Sequence, residues 1–424
     1  MTTTATAPGW RGGWIQGLRY GALGLPLAFV ALPLYVVLPN HYATEFGIPL
    51  ATLGALLLGA RLLDALADPL IGRWVDGWFT RHISTVLVAA ALAAVLLALG
   101  FRGLFFPAVQ GQTALLWWCA LLLAVTYLSY SVLSVLHQAW GARLGGDDMQ
   151  RTRIVSWREG LALLGVMVAS VLPSVAGLSV TSAVFAGTLV VGLALLWRAP
   201  QPRRAERPAS PPRLTEPLAT PEFRRLLVVY LVNGVASAVP ATLVLFFIRD
   251  RLQAQAWEPL FLASYFAAGA LSMPLWTRLV ARLGLARSWL LGMVLAIVSF
   301  AWAALLGPGD VLAYTAVCIA SGIALGADLA LPGAMLAGVI QRAGHGQRLE
   351  GAYFGWWNFC TKLNLALAAG VALPLLSLLG YAAGSRSPEA LTALMLAYCI
   401  LPCLLKLLAT TLLWTLWVRQ KETT

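Results

Sequence analysis

Long apolar stretches recur along the chain, each close to the roughly 20 residues of helix that a bilayer core requires. They fall at 17–40, 49–72, 83–101, 113–142, 156–176, 178–197, 224–248, 257–281, 286–306, 311–340, 350–379 and 390–418. This pattern predicts about twelve membrane spans. A short turn at Phe46-Gly47-Ile48-Pro49 separates the first two. Backbone groups in lipid must bond within their own segment, so the spans are expected to be helices. No stretch shows the alternation of a membrane barrel. The fold class expected is therefore an all-α membrane protein.

Composition agrees. Of 424 residues, 60% are hydrophobic and 11% charged, against about 25% charged in a soluble domain. The apolar pattern is interrupted at 198–223 by a segment rich in Pro, Arg and Ser, opening with Arg198, Pro200, Pro202, Arg203 and Arg204. It reads as a cytoplasmic linker between an N-terminal half, 1–197, and a C-terminal half, 224–424. The halves echo each other. Spans two and three are joined through Pro69, Arg73 and Arg81; spans eight and nine through Pro274, Arg278, Arg282 and Arg287. Two six-helix halves around a midplane site describe the major-facilitator plan.

Charge gives the orientation. With the N-terminus in the cytoplasm, the loops on that side collect nearly all Arg and Lys. The outside receives Arg102, Arg249, Arg251 and Arg386. The positive-inside rule is then met, provided the number of spans is even, and both termini of this multi-pass protein lie on the cytoplasmic side of a cell (inner) membrane. The net charge of +12 is topological and scattered, so no nucleic-acid partner is expected. Met1 to Trp14 lacks the pattern of a secretory leader. Cys119, Cys318, Cys360, Cys399 and Cys403 sit in apolar segments as small core residues, with no zinc spacing and no disulfide framework. No phosphate loop, nucleophile elbow or metal cluster stands outside the spans, so an enzyme is not expected, nor a cofactor beyond a coupling ion.

The chemistry lies in charges within the spans. A charge at mid-bilayer costs at least about 2.5–3.5 kcal/mol on insertion scales, which makes each one a functional candidate. Arg61, Asp64 and Asp68 share one face of span two, since i, i+3 and i+4 are neighbours on a helix. Two carboxylates one turn apart in a dry site require a bound cation, a shared proton or Arg61 as counter-ion. Oxygen ligands suit a hard cation. The alternative is that Arg61 and Asp64 form a buried pair that only holds helices together. Lys362 in span eleven is either a counter-charge to the acids or an interfacial lysine. Asp328 in span ten precedes Pro332, which can break the helix and free backbone carbonyls; it suits substrate contact or proton carriage, or else helix packing. Span four is polar, with Tyr127, Tyr130, Ser131, Ser134, His137, Gln138 and Trp140; its hydroxyls suit a cation site, substrate or neighbouring helices. The 17 tryptophans suit interfaces more than sugar stacking. His137 alone does not make a metal site.

Arg61-x-x-Asp64-x-x-x-Asp68-Pro69-x-x-Gly72-x-x-x-Asp76 resembles the helix-two signature of the glycoside–pentoside–hexuronide cation symporters, the melibiose-permease group. Arg151-Thr152 followed by Arg158 is similar to that family's helix five. Pro332 to Met335 resembles its helix ten, and Glu350-Gly351, Tyr353-Phe354-Gly355, Lys362 and Gly380-Tyr381 its helix eleven. The resemblance implies that Asp64 and Asp68 bind the coupling cation with help from the Ser131 hydroxyl. It places Lys362 near that ion and Arg158 against substrate. The chain also departs from the melibiose type. Leu27 and Ala28 stand where that type has a Lys-Asp pair, Ser134 where it has a helix-four aspartate, and Gln138 where it has a tryptophan. These departures count against a melibiose-like galactoside and leave both Na⁺ and H⁺ open as coupling ions.

The expectation is a monomeric, cation-coupled symporter of a small organic solute, a sugar or glycoside among the options, working by alternating access. Tyr130, Arg158, Asp328 and Trp357 are the substrate candidates, Arg61 and Lys362 the counter-charges, and the loop from Gly72 to Arg81 a cytoplasmic latch. The alternative is a lipid or amphipathic-compound transporter of the same fold.

Overall fold

The computed structural model describes Trp10, 12–202, 213–381 and 384–419. Helices stand at every predicted span. The first, α1, is broken into Trp14–Gly21, Gly24–Phe29, a π turn at Pro33–Val37 and Leu38–Phe46. Then come α2 (Leu50–Phe79), α3 (Ile83–Phe105) and α4 (Gln112–Arg143). The stretch Asp148–Trp197 is continuous in hydrogen bonding but holds Gly177 at φ 78° and ψ 169°. That backbone is open to glycine and strained for other residues, so it divides α5 (148–176) from α6 (178–197). The second set is α7 (Pro221–Phe246, extended by a π turn at Phe247–Arg251), α8 (Glu258–Leu283), α9 (Leu285–Ala303), α10 (Val311–Arg342), α11 (Glu350–Leu378) and α12 (Pro388–Val418). No strand occurs among the described residues.

Eight helical stretches are long and apolar enough to cross a membrane, and the bent pair in α1, angled by 41°, adds a ninth. Splitting Asp148–Trp197 at Gly177 and adding α2 and α11 brings the helices at the predicted spans to twelve. The chain is a multi-pass helical membrane protein. The start of the predicted leader-free N-terminus, 1–9, and the linker residues 203–212 lie outside the described residues. Within the rest of the linker, Glu216–Ala219 forms a short helix.

The described residues group into two compact units, Met1–Ala219 with Ala337–Phe359, and Thr220–Leu336 with Cys360–Thr424. The end of α10 and the start of α11 thus pack with the first unit. In that unit α1 lies along α5 and α6, and α4 is covered by α2 and α3. In the second unit α12 packs on α7 and α9. Its core includes Val239, Leu243, Phe247, Tyr314 and Tyr398. The Phe247 and Tyr398 rings stack at 4.2 Å, and the Tyr314 and Tyr398 hydroxyls meet at 2.7 Å. Bulky side chains such as Leu62, Leu66 and Leu70 on α2, and Val88, Leu92 and Leu99 on α3, face outward. Lipid is the solvent those faces require.

Candidate transport site

On α2 the exposed leucines 62, 66 and 70 and the buried acids 64 and 68 alternate two residues apart, which puts them on opposite faces of the helix. Asp64 is 6% exposed and Asp68 0%. The Ser131 hydroxyl of α4 donates to Asp64 Oδ1 at 2.6 Å. Arg61, a turn away, places its guanidinium over the Tyr35 ring of α1, 3.8 Å from the centroid. Tyr130, beside Ser131, holds its hydroxyl within electrostatic reach of Tyr35, Asp64, Asp68 and Glu159. The first unit therefore brings together Arg61, Asp64, Asp68, Tyr130 and Ser131.

Arg158 on α5 is fixed by close helix packing. A Cβ at Gly21 would stand 2.6 Å from the Trp157 carbonyl, and one at Gly24 2.5 Å from the Arg158 carbonyl. Only glycine lets α1 approach α5 so closely. The Arg158 Nε donates to Glu159 Oε1 at 3.0 Å, and Nη2 bonds the same oxygen. Next to this pair, Tyr20 donates its hydroxyl to the His137 carbonyl at 3.0 Å. The His137 Nε2 sits 2.7 Å from the Tyr20 carbonyl.

The start of α11 belongs to the same unit. A Cβ at Gly355 would meet the Asp68 carbonyl at 2.5 Å, and one at Gly72 the Gly351 carbonyl at 2.2 Å. Trp357 is buried there, and the Asn358 side-chain amide donates to Ser134 Oγ at 3.4 Å. Beyond the span, at the end of α2, Asp76 receives Arg143 Nη2 and the Gly351 N–H on Oδ1, both at 2.7 Å, and the Ala352 N–H on Oδ2 at 2.8 Å. A helix N-terminus is a natural seat for a carboxylate. The Arg143 Nη2 also pairs with Glu350 at 3.0 Å, and the guanidinium lies over Phe79. Two buried acids share this one guanidinium nitrogen. Burial pushes the Asp76 carboxyl up to about 7; the Glu350 charge adds to the rise, while Arg143 and the two backbone amides oppose it.

The second unit has its own polar centre. Lys406 on α12 donates to Asp328 Oδ2 at 2.6 Å and to Asn233 Oδ1 at 2.8 Å. Asp328 further accepts from Asn233 Nδ2 at 3.1 Å, Ser237 Oγ at 3.3 Å and Trp289 Nε1 at 2.9 Å. Thus α7, α9, α10 and α12 converge on one carboxylate. Lys362 also belongs to this unit, next to Thr361, whose hydroxyl meets that of Tyr230 at 2.8 Å.

Sequence reasoning missed Glu159 and the partners of Asp328. Glu159 carried the same signal as Asp64, an acid within an apolar stretch, but it sits near the predicted start of span five. Lys406 was visible as a charge in span twelve, yet its partner lies 78 residues away, and no local spacing announces that pairing.

Comparison with known proteins adds to this geometry. The family described as MFS/sugar transport protein matches residues 19–419. The glucuronide carrier protein homolog of Escherichia coli (strain K12) is 25% identical over 433 residues, covering 94% of this chain and 91% of the relative. The inner membrane symporter YicJ of the same organism is 28% identical over 159 residues, a stretch that takes in 37% of this chain and only 33% of YicJ. Among solved structures, a bacterial homologue of the iron transporter ferroportin in an outward-facing state superposes with a TM-score of 0.69 at 18% identity, over 95% of this chain and 98% of the other. At that identity the likeness speaks for the fold alone.

Proposed function

The chain belongs to the MFS/sugar transport protein family, and on that premise we propose that this secondary transporter is a cation-coupled symporter whose ion is held by Asp64 and Asp68. One observation carries the reading: two buried carboxylates stand one turn apart on α2, with the Ser131 hydroxyl 2.6 Å from the first. Carboxylate and hydroxyl oxygens are the donors that a hard cation takes. These oxygens, held at depth in lipid, offer Na⁺ or H⁺ a place to bind as the helix rearranges. Arg61 moderates the field from the Tyr35 side.

The solute is a small organic molecule, with Tyr130, Arg158 and Trp357 as its contacts. The sugar description of the family and the relative named as a glucuronide carrier homolog support a sugar derivative. Asp328 acts with Lys406 as a neutral pair in the second unit. Both termini are placed in the cytoplasm of the inner membrane, and the transporter works as a monomer by alternating access. The stretch from Gly72 to Arg81, expected as a loop, is helix up to Phe79 because α2 continues through it; its Asp76 cluster is the cytoplasmic latch of that cycle.

The test is a solute screen by gradient-driven uptake into proteoliposomes, under Na⁺ and pH gradients separately. Asp64→Asn and Asp68→Asn should abolish accumulation yet retain downhill exchange. Ser131→Ala should weaken ion activation by about tenfold, the worth of a hydrogen bond to a charged group. Full accumulation by both Asn variants would overturn the assignment.

A further inference from the structure

We propose that Glu159 sets the specificity of the site: it occupies Arg158 with an internal carboxylate, so the transporter takes uncharged polyhydroxylated solutes and refuses uronates and other organic anions. This rests on the reading of the first unit as the solute-binding region.

An arginine inside an apolar span is the obvious receptor for a substrate carboxylate, because its planar fork fits two carboxylate oxygens. Here the Nε–Nη2 edge of that fork is already taken. The Nε and Nη2 of Arg158 both bond Glu159 Oε1. A solute anion would have to displace a tethered carboxylate at very high local concentration. It would also approach two further acids, Asp64 and Asp68, which share the Tyr130 hydroxyl's surroundings with Glu159. Like charges at such range in a poorly solvated site are unfavourable.

The same geometry suits a neutral polyol. Glu159 Oε1 carries both bonds to Arg158, and among the described residues no hydrogen bond reaches Oε2. The pair remains partly accessible, the side chains 12% and 19% exposed. Tyr20 on α1 and Tyr130 on α4 both lie within electrostatic reach of Glu159, so other helices of the unit flank the pair. An open carboxylate oxygen beside guanidinium N–H groups offers acceptor and donors side by side. Adjacent hydroxyls of a sugar ring, each both donor and acceptor, match that arrangement. The glycine seam between α1 and α5, so close that a Cβ at Gly24 would stand 2.5 Å from the Arg158 carbonyl, holds the pair in register.

The experiment measures equilibrium binding to the purified full chain by calorimetry. The probes are p-nitrophenyl glucoside, p-nitrophenyl xyloside, p-nitrophenyl glucuronide and tetraethylammonium. The wild type should bind a neutral glycoside at least about tenfold more tightly than the glucuronide, and Glu159→Gln, which frees Arg158, should shift that ratio toward the glucuronide by about tenfold or more. A wild-type preference for the glucuronide or the ammonium ion, binding of no probe, or an unchanged ratio in Glu159→Gln would overturn the proposal. Where Glu159→Gln fails to fold, the charge-neutral double variant Arg158→Gln/Glu159→Gln takes its place; it should lose the discrimination, and keeping it would equally refute the idea. Repeating the titrations with and without Na⁺, and at two pH values, separates the two readings. Loss of cation dependence counts against symport, whereas the glycoside-to-glucuronide ratio reports on Glu159.

Discussion

Replacing Lys406 by Met should be among the most damaging single changes in the second unit, and its cost can be worked from the contacts. The Lys406 ammonium donates to Asp328 at 2.6 Å and Asn233 at 2.8 Å with only 5% of the side chain exposed. Removing one partner of a buried pair typically costs about 3–5 kcal/mol, because the other charge stays behind uncompensated. Interhelical hydrogen bonds in membranes are worth far less, about 0.6 kcal/mol on average and about 1.7 at most. Trp289→Phe, which deletes one neutral donor to the same carboxylate, should therefore cost about 0.6–1.7 kcal/mol.

A cycle through Lys406→Met, Asp328→Asn and the double variant separates charge from packing. Each single change leaves a lone buried charge, whereas the double leaves none, so it should be less destabilising than either single. Equilibrium unfolding of purified protein in mixed micelles, titrated with SDS, gives the free energies. Additive single effects, or a Trp289→Phe loss as large as that of Lys406→Met, would refute the view that the ion pair dominates this centre.

Two further outcomes are expected. Gly355→Ala adds a Cβ 2.5 Å from the Asp68 carbonyl and 3.0 Å from Pro69 Cα, so α11 must shift; a loss of about 1–3 kcal/mol is expected, whereas Gly54→Ala and Gly59→Ala meet nothing within 4 Å and should be neutral or gain up to about 1 kcal/mol in the same unfolding assay. The Asp76 latch should be pH-dependent, because its carboxyl sits at about 7 when latched against an ordinary 3.8: the latched form binds the proton better, so its advantage is full below the ordinary value and is lost as pH rises through about 7. Amide exchange at Gly351 and Ala352, corrected for intrinsic rate, should therefore be slower relative to its reference at about pH 6 than at about pH 8. Asp76→Asn should abolish that difference, and a pH-independent wild type would contradict the argument.

Much of the architecture was legible because lipid enforces it. Apolar length and the need to satisfy backbone groups internally dictate helices, and each predicted span found one. The break at Gly177 was readable as a glycine between two apolar runs, but its φ of 78° depends on chain reversal that only a three-dimensional fold specifies. The pairing of Asp64 with Ser131 was anticipated through resemblance to a family, since helix periodicity fixes faces and not which faces meet. Arg61 shows the limit: its spacing to Asp64 suggested a counter-charge, but that its guanidinium would also rest on Tyr35 of another helix could not be read from one helix alone. The alternatives left open for Asp328 likewise needed tertiary structure, because the donors that surround it come from three other helices.

What links these cases is how each unit disposes of buried charge. In the second unit, Asp328 meets a lysine and three neutral donors, and the sum is zero. At the end of α2, two acids share one guanidinium nitrogen, and burial, with the Glu350 charge adding to it, favours a proton on Asp76. Deeper in the same unit, Glu159 neutralises Arg158, while Asp64 and Asp68 lie within one helical turn of each other on the buried face of α2. A neutral pair can be crossed by lipid-embedded helices without any partner from solution. The closed Asp328–Lys406 pair, with its three neutral donors, is therefore the place to seek mechanical strength, and the two buried acids with the Ser131 hydroxyl beside them are the place to seek ion coupling. If neutralising Asp328 and Lys406 together abolished coupling, while Asp64→Asn and Asp68→Asn left it intact, that division of labour would have to be reversed.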